Sequence, residues 1–181
     1  MRRLGACAVA LTLVLLGAGC SDDPKPRFEP TDSPSPSASE TTEPPEPEAW
    51  EVRSKAGAVA FAEHWVDALN EAQSTGDTEA LKALSAADCE SCSALTEQLE
   101  GLYGAGGSME TDGWRVLTSA APLPGPLENE TEVILRVDRS PQKVETGDGD
   151  VERFPGGRTT YKAVVGWRDD AWSMKSLGRF A

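Results

Sequence analysis

The apolar residues of this chain change their spacing once, at Gly104, Gly106 and Gly107, and that switch bounds the folds open to it. Before these glycines, apolar side chains recur every three or four residues. Phe61, Trp65, Leu69 and Ala72, flanked by Ala58, Ala62, Val66 and Ala68, form a stripe along a helix. Thr75-Gly76-Asp77 interrupts the pattern. Gly76 suits a left-handed C-terminal stop, and Asp77 suits the N-cap of a second helix running to about Leu84. A third helix is predicted from about Cys92 to Tyr103, with Leu95, Leu99, Leu102 and Tyr103 on one face. After the glycines the period becomes two. Thr131, Val133, Leu135 and Val137 share one strand face, while Glu132, Ile134, Arg136 and Asp138 share the other. Tyr161, Ala163, Val165 and Trp167 lie together, and Trp172 and Met174 oppose Ser173 and Lys175. Arg168-Asp169-Asp170-Ala171 fits a tight turn, and a strand around Trp114–Thr118 completes a four-stranded antiparallel sheet. Helices followed by a sheet with one apolar face predict an α+β domain over residues 51–181, with three helices packed on a mainly four-stranded antiparallel sheet. Pro141–Arg158 is longer than a tight hairpin turn and reads as an exposed loop.

A different pattern precedes this domain. Arg2-Arg3, the apolar run Leu4–Leu16 and the small residues Gly17-Ala18-Gly19 make a secretory signal over residues 1–19. The run falls short of the ~20 apolar residues that cross a bilayer. Ala18-Gly19-Cys20 resembles the end of a bacterial lipobox, with Gly17 standing where an aliphatic residue is usual. Cys20 is then the acceptor for a thioether-linked diacylglycerol, and the expected location is the cell membrane, lipid-anchored, on the extracytoplasmic side. Residues 20–50 read as the lipidated Cys and a disordered linker. Eight of the 13 prolines lie within residues 21–48, and too few apolar side chains are present to offset the entropy of ordering. Removing residues 1–19 takes away Arg2 and Arg3 and no acid, which carries the formal charge from −13 to −15. Nucleic acid is excluded as a partner, because it is bound through Lys/Arg patches that the mature chain lacks. A single Ile and 11 Arg against 6 Lys suggest a GC-rich genome and, with the lipobox, an actinobacterium.

Cys89-Glu90-Ser91-Cys92 is the sharpest constellation in the domain. Outside the cytoplasm, two Cys so spaced at a helix start become oxidised. Redox catalysis calls for a strand before the pair and a thiolate stabilised by the helix N-terminus. Here a helix end, Leu84–Asp88, precedes it, and Asp88 and Glu90 add negative charge. A structural disulfide pinning the turn between helices two and three is therefore the reading, ahead of redox catalysis and metal binding. His64 is the only histidine and reads as a helix residue beside the apolar stripe; a zinc site lacks further ligands. Asp148-Gly149-Asp150-Val151-Glu152 falls short of a calcium loop. No catalytic residue, metal or cofactor is expected.

The runs Ala60–Trp65, Thr75-Gly76-Asp77, Leu81–Ser85, Cys89–Cys92 and Gly113–Val116 together resemble an uncharacterised family of actinobacterial lipoproteins. Its domain is nuclear-transport-factor-2-like, a cystatin-like cone of curved sheet closed by helices. The resemblance implies that cone and an envelope location, and it supplies no catalytic residues. Enzymes of this architecture place an acid, a base or a tyrosine inside the cone, and Tyr161 is the one proton-active side chain on the predicted inner strand faces. The expectation is a non-catalytic binding or envelope-assembly module for a small apolar ligand or an envelope protein. The alternative is an isomerase, dehydratase or hydrolase with a pocket near Tyr161 and His64. Trp65, Trp114, Tyr161, Trp167 and Trp172 are the candidates to line a pocket, or else they fill the core.

Overall fold

The computed structural model describes residues 46–121 and 129–180. The expected signal segment, Cys20 and the expected linker as far as residue 45 lie outside the described residues. Helix α1 spans Lys55–Thr75 and buries the predicted stripe, Phe61, Trp65, Leu69 and Ala72 included. Ser54 caps it by accepting the Gly57 N–H at 2.9 Å. Gly76 ends it at φ 79°, donating its N–H to the Ala72 carbonyl. Helix α2, Glu79–Ala83, has Thr78 rather than the expected Asp77 at its N-cap position; the Asp77 Oδ1, one residue earlier, still accepts the Glu79 N–H at 2.9 Å. Helix α3 runs Glu90–Gly104. It starts earlier than its apolar spacing suggests because Cys89 takes the N-cap position, where its Sγ accepts the Cys92 N–H at 3.2 Å.

Among the described residues seven strands follow: β1 (Ser108–Glu110), β2 (Trp114–Ala120), β3 (Glu130–Arg139), β4 (Gln142–Glu145), β5 (Val151–Phe154), β6 (Gly157–Arg168) and β7 (Ala171–Arg179). The predicted four-stranded sheet has the order β2-β3-β6-β7 with every pair antiparallel. Its inner face carries the buried Val133, Leu135, Val137, Tyr161, Ala163 and Val165, which join α1 in one core. Asp169 and Asp170, at φ 53° and 61°, make the β6–β7 turn with two left-handed residues, the arrangement that matches strand twist. A bulge opposite Val164 and Val165 shifts the phase of β7, so that Trp172, Met174 and then Leu177 are buried.

The expectation of a loop over Pro141–Arg158 is corrected. Strands β1, β4 and β5 form a second antiparallel sheet in that order, and the turn between β4 and β5 is what remains of the loop. These strands are three or four residues long, and β5 is exposed at every position. A strand with no buried face has no alternation to read.

The sheet edge at β7 is covered by the chain between α2 and α3. Ala86 donates its N–H to the Met174 carbonyl at 2.8 Å, and Met174 donates to the Leu84 carbonyl at 2.9 Å. At the start of the described chain, Ala49–Glu51 form a 3-10 turn that sets the Trp50 ring on His64, 4.2 Å between centroids. The Val52 carbonyl then accepts the Trp172 indole N–H at 3.1 Å. It approaches Gly57 so closely that a Cβ there would lie 1.8 Å from its oxygen. Among the described residues, no helix is long and apolar enough to cross a membrane.

Candidate functional site

Helices α1 and α3 stand over one end of the main sheet and leave a cavity of about 420 Å³ between them. Leu69, Leu95, Leu99 and Leu177 supply its apolar wall, Trp114 and Tyr161 its aromatic side. The two rings are stacked, 4.8 Å between centroids at 21°. The cavity lies in the size range of small-molecule pockets, which is roughly 300–1,000 Å³.

Trp114 is held by α1. Asn70 accepts the Trp114 N–H at 2.7 Å and donates to the Trp114 carbonyl at 2.9 Å. Strand β2 is an edge, so this side chain satisfies backbone groups that no strand reaches. Gly113, at φ 78°, lets the chain enter: a Cβ would lie 2.5 Å from the Asn70 Oδ1. Tyr103 ties the far end of α1 to β1, donating to the Gln73 carbonyl at 2.6 Å and accepting the Met109 N–H at 3.3 Å.

The cavity is also where the fold leaves polar groups without partners. Among the described residues, the buried side-chain atoms with no hydrogen bond are the Gln73 Oε1, the Trp114 Nε1 and the Arg139 Nε, and all three belong to residues lining this cavity. Each such atom costs about 1–3 kcal/mol. Sequence reasoning passed over Gln73 and Arg139. The signal was present: Gln73 stands four residues after Leu69 on the buried face of α1, and Arg139 continues the inward series Val133, Leu135, Val137 on β3.

The five candidate aromatic residues separate into three groups. Trp114 and Tyr161 line the cavity just described. Trp167 and Trp172 meet edge to face, 5.0 Å between centroids, beside a different depression near Asn129 and Lys175. Trp65 is fully buried, lines neither, and donates its indole N–H to the Ser85 Oγ at 2.9 Å. Tyr161 and His64 are not brought together, because His64 is stacked under Trp50 and is absent from the cavity lining.

Cys89 and Cys92 are joined by a disulfide at the head of α3. Between them, the Ser91 Oγ accepts the Leu177 N–H at 2.9 Å, and this hydrogen bond ties the head of α3 to β7 beside the cavity. Next to it, hydrogen bonds from Lys175, at 2.6 and 2.8 Å, hold the Asp88 carboxyl below its ordinary value. Farther along α3, the Lys82 ammonium at 2.7 Å and then the Thr78 hydroxyl at 2.6 Å lower the Glu100 carboxyl and bind α2 to α3. The same contact raises Lys82 against the opposing effect of burial. Asp148 and Asp150 are exposed, and among the described residues no group of three or more His, Cys, Asp or Glu is placed to hold a metal ion.

A family model described as "Family of unknown function (DUF6318)" matches residues 26–178. No curated protein matches the chain. Similar solved structures include the intermembrane space region of the chloroplast protein ARC6, 12% identical with TM-score 0.49, covering 71% of this chain and 97% of that one. Another is an uncharacterised Caulobacter vibrioides protein with a cystatin-like fold, 13% identical with TM-score 0.42, covering 67% and 89%. A third is the association domain of C. elegans CaMKII, 13% identical with TM-score 0.42, covering 72% and 100%. At such identities and scores, none of them says what this chain does.

Proposed function

Because the chain belongs to the DUF6318 family of unknown function, its membership brings no activity with it, and we propose that the protein is a lipid-anchored, extracytoplasmic binding module for a small molecule. The observation that carries the binding reading is the cavity under Trp114 and Tyr161, where an apolar wall meets three buried polar atoms without partners. A guest toward which the Gln73 amide and the Arg139 guanidinium turn supplies partners that the fold leaves them without, which gives the cavity a reason to bind. Neither a carboxylate nor a histidine is among its lining residues, so acid–base chemistry there falls to Tyr161 alone. The anchor rests on the sequence: the Ala18-Gly19-Cys20 motif, the apolar run before it and the Pro-rich stretch after it.

The test uses the full chain purified from its own membrane. Intact-mass measurement is expected to show loss of residues 1–19 and the added mass of a diacylated Cys20; loss of those residues without lipid mass refutes the anchor. Native mass spectrometry is expected to show a small-molecule adduct on the wild type that disappears in Ala94→Trp, which fills the mouth of the cavity from an exposed position. Identical spectra for the two proteins refute binding in this cavity.

A further inference from the structure

We infer that this cavity selects a small apolar guest bearing a single carboxylate, which Arg139 receives with the Gln73 amide as a neutral partner. The inference rests on the binding reading above and adds the chemical class of the guest.

Charge carries the argument. Arg139 sits on the inward side of β3, directly opposite Trp114 on β2, and forms no ion pair with any described residue. The neighbouring carboxylate, Asp138, belongs to the other face of the strand, where Arg115 takes it at 3.0 Å and Arg158 lies 4.0 Å away. Arg139 is therefore a half-buried cation without a counter-ion, in a chain whose acids outnumber its bases 30 to 17. A neutral guest closing over it would remove water from an unpaired charge, which is strongly unfavourable. A dianion would leave one negative charge without a partner in the same apolar surroundings. One carboxylate matches one guanidinium, and the planar fork favours bidentate pairing.

The neutral amide of Gln73 fits the same guest. Gln73 is 5% exposed, and turning its amide over lets it present either a donor or an acceptor. The unpartnered atoms are shielded from solvent, so engaging the guest takes rotation about the terminal torsions of Gln73 and Arg139. The apolar body then lies against Leu69 and Leu99 and on the stacked Trp114–Tyr161 pair.

The test titrates the full chain by calorimetry with three probes of matched body: 4-phenylbutyrate, 4-phenylbutanamide and 3-phenylpropyl phosphate. The wild type is expected to bind the carboxylate about tenfold or more tightly than the amide, the effect of a charge-assisted hydrogen bond. Arg139→Gln is expected to weaken carboxylate binding and, by removing the unpaired charge that a neutral guest would cover, to tighten amide binding, so that the preference is lost. Arg139→Lys keeps the charge without the fork and is expected to retain part of the preference; it also serves if the Gln variant misfolds. Equal binding of acid and amide, tightest binding of the phosphate, or no binding of any probe overturns the inference. The cavity reading fails separately, by an adduct that persists in Ala94→Trp.

Discussion

Asn70→Ala tests the contact on which the site is built. Asn70 makes two hydrogen bonds, at 2.7 and 2.9 Å, to the backbone N–H and carbonyl of Trp114 on an edge strand. Each is worth about 0.5–1.5 kcal/mol, and a partner left buried and unsatisfied raises the loss toward 1–3 kcal/mol. Trp114 is half-buried, so water reaches part of what is exposed, and the two together come to about 2–3 kcal/mol. For a domain of this size that corresponds to a fall in Tm of roughly 6–15 °C. Asn70→Asp keeps the acceptor for the Trp114 N–H but sets a carboxylate against its carbonyl, and is expected to fall between wild type and Ala. Urea unfolding followed by far-UV circular dichroism gives the stability. Near-UV circular dichroism reports the Trp114–Tyr161 stack, and its signal is expected to weaken in both variants. A loss below about 0.5 kcal/mol in Asn70→Ala, with unchanged urea dependence, would refute the clamp.

Further outcomes are expected. Reducing the Cys89–Cys92 disulfide, or replacing Cys92 by Ser, is expected to cost about 2 kcal/mol from so short a loop, read as a lower Tm with and without reductant. Asp170→Gly removes a side chain held at φ 61° and is expected to raise stability by about 1 kcal/mol in thermal melts; no gain would argue against the left-handed turn. The Glu100 and Asp88 carboxyls are lowered by their lysine partners, so their contribution is present above their ordinary values of 4.5 and 3.8 and is lost as pH falls through the folded ones. Glu100→Gln is accordingly expected to flatten the acid side of the stability–pH curve below about pH 4.5, measured by urea midpoints. The raised Lys82 acts at the other end, its contribution present below 10.5 and lost as pH rises through its folded value.

The order and type of the main elements followed from local rules. Helical spacing in α1, the left-handed stop at Gly76 and the alternation in β3 and β6 depend only on which side of an element faces the core, and neighbouring residues record that. The second sheet did not follow, because β5 buries none of its residues and short strands paired across long loops leave no periodic trace. The phase shift in β7 was equally silent, since a bulge adds one residue without changing composition.

By itself the sequence determined the α+β class and the single inward face of the main strands. Tertiary structure alone decided which aromatic residues meet: Trp114 with Tyr161 across the sheet, Trp167 with Trp172 elsewhere, and Trp65 in the core. It alone gathered Gln73, Trp114 and Arg139 from three elements around one cavity. The physical reason is range. Periodicity reports whether a residue is buried, whereas the partner it lacks depends on strands and helices far apart in the chain.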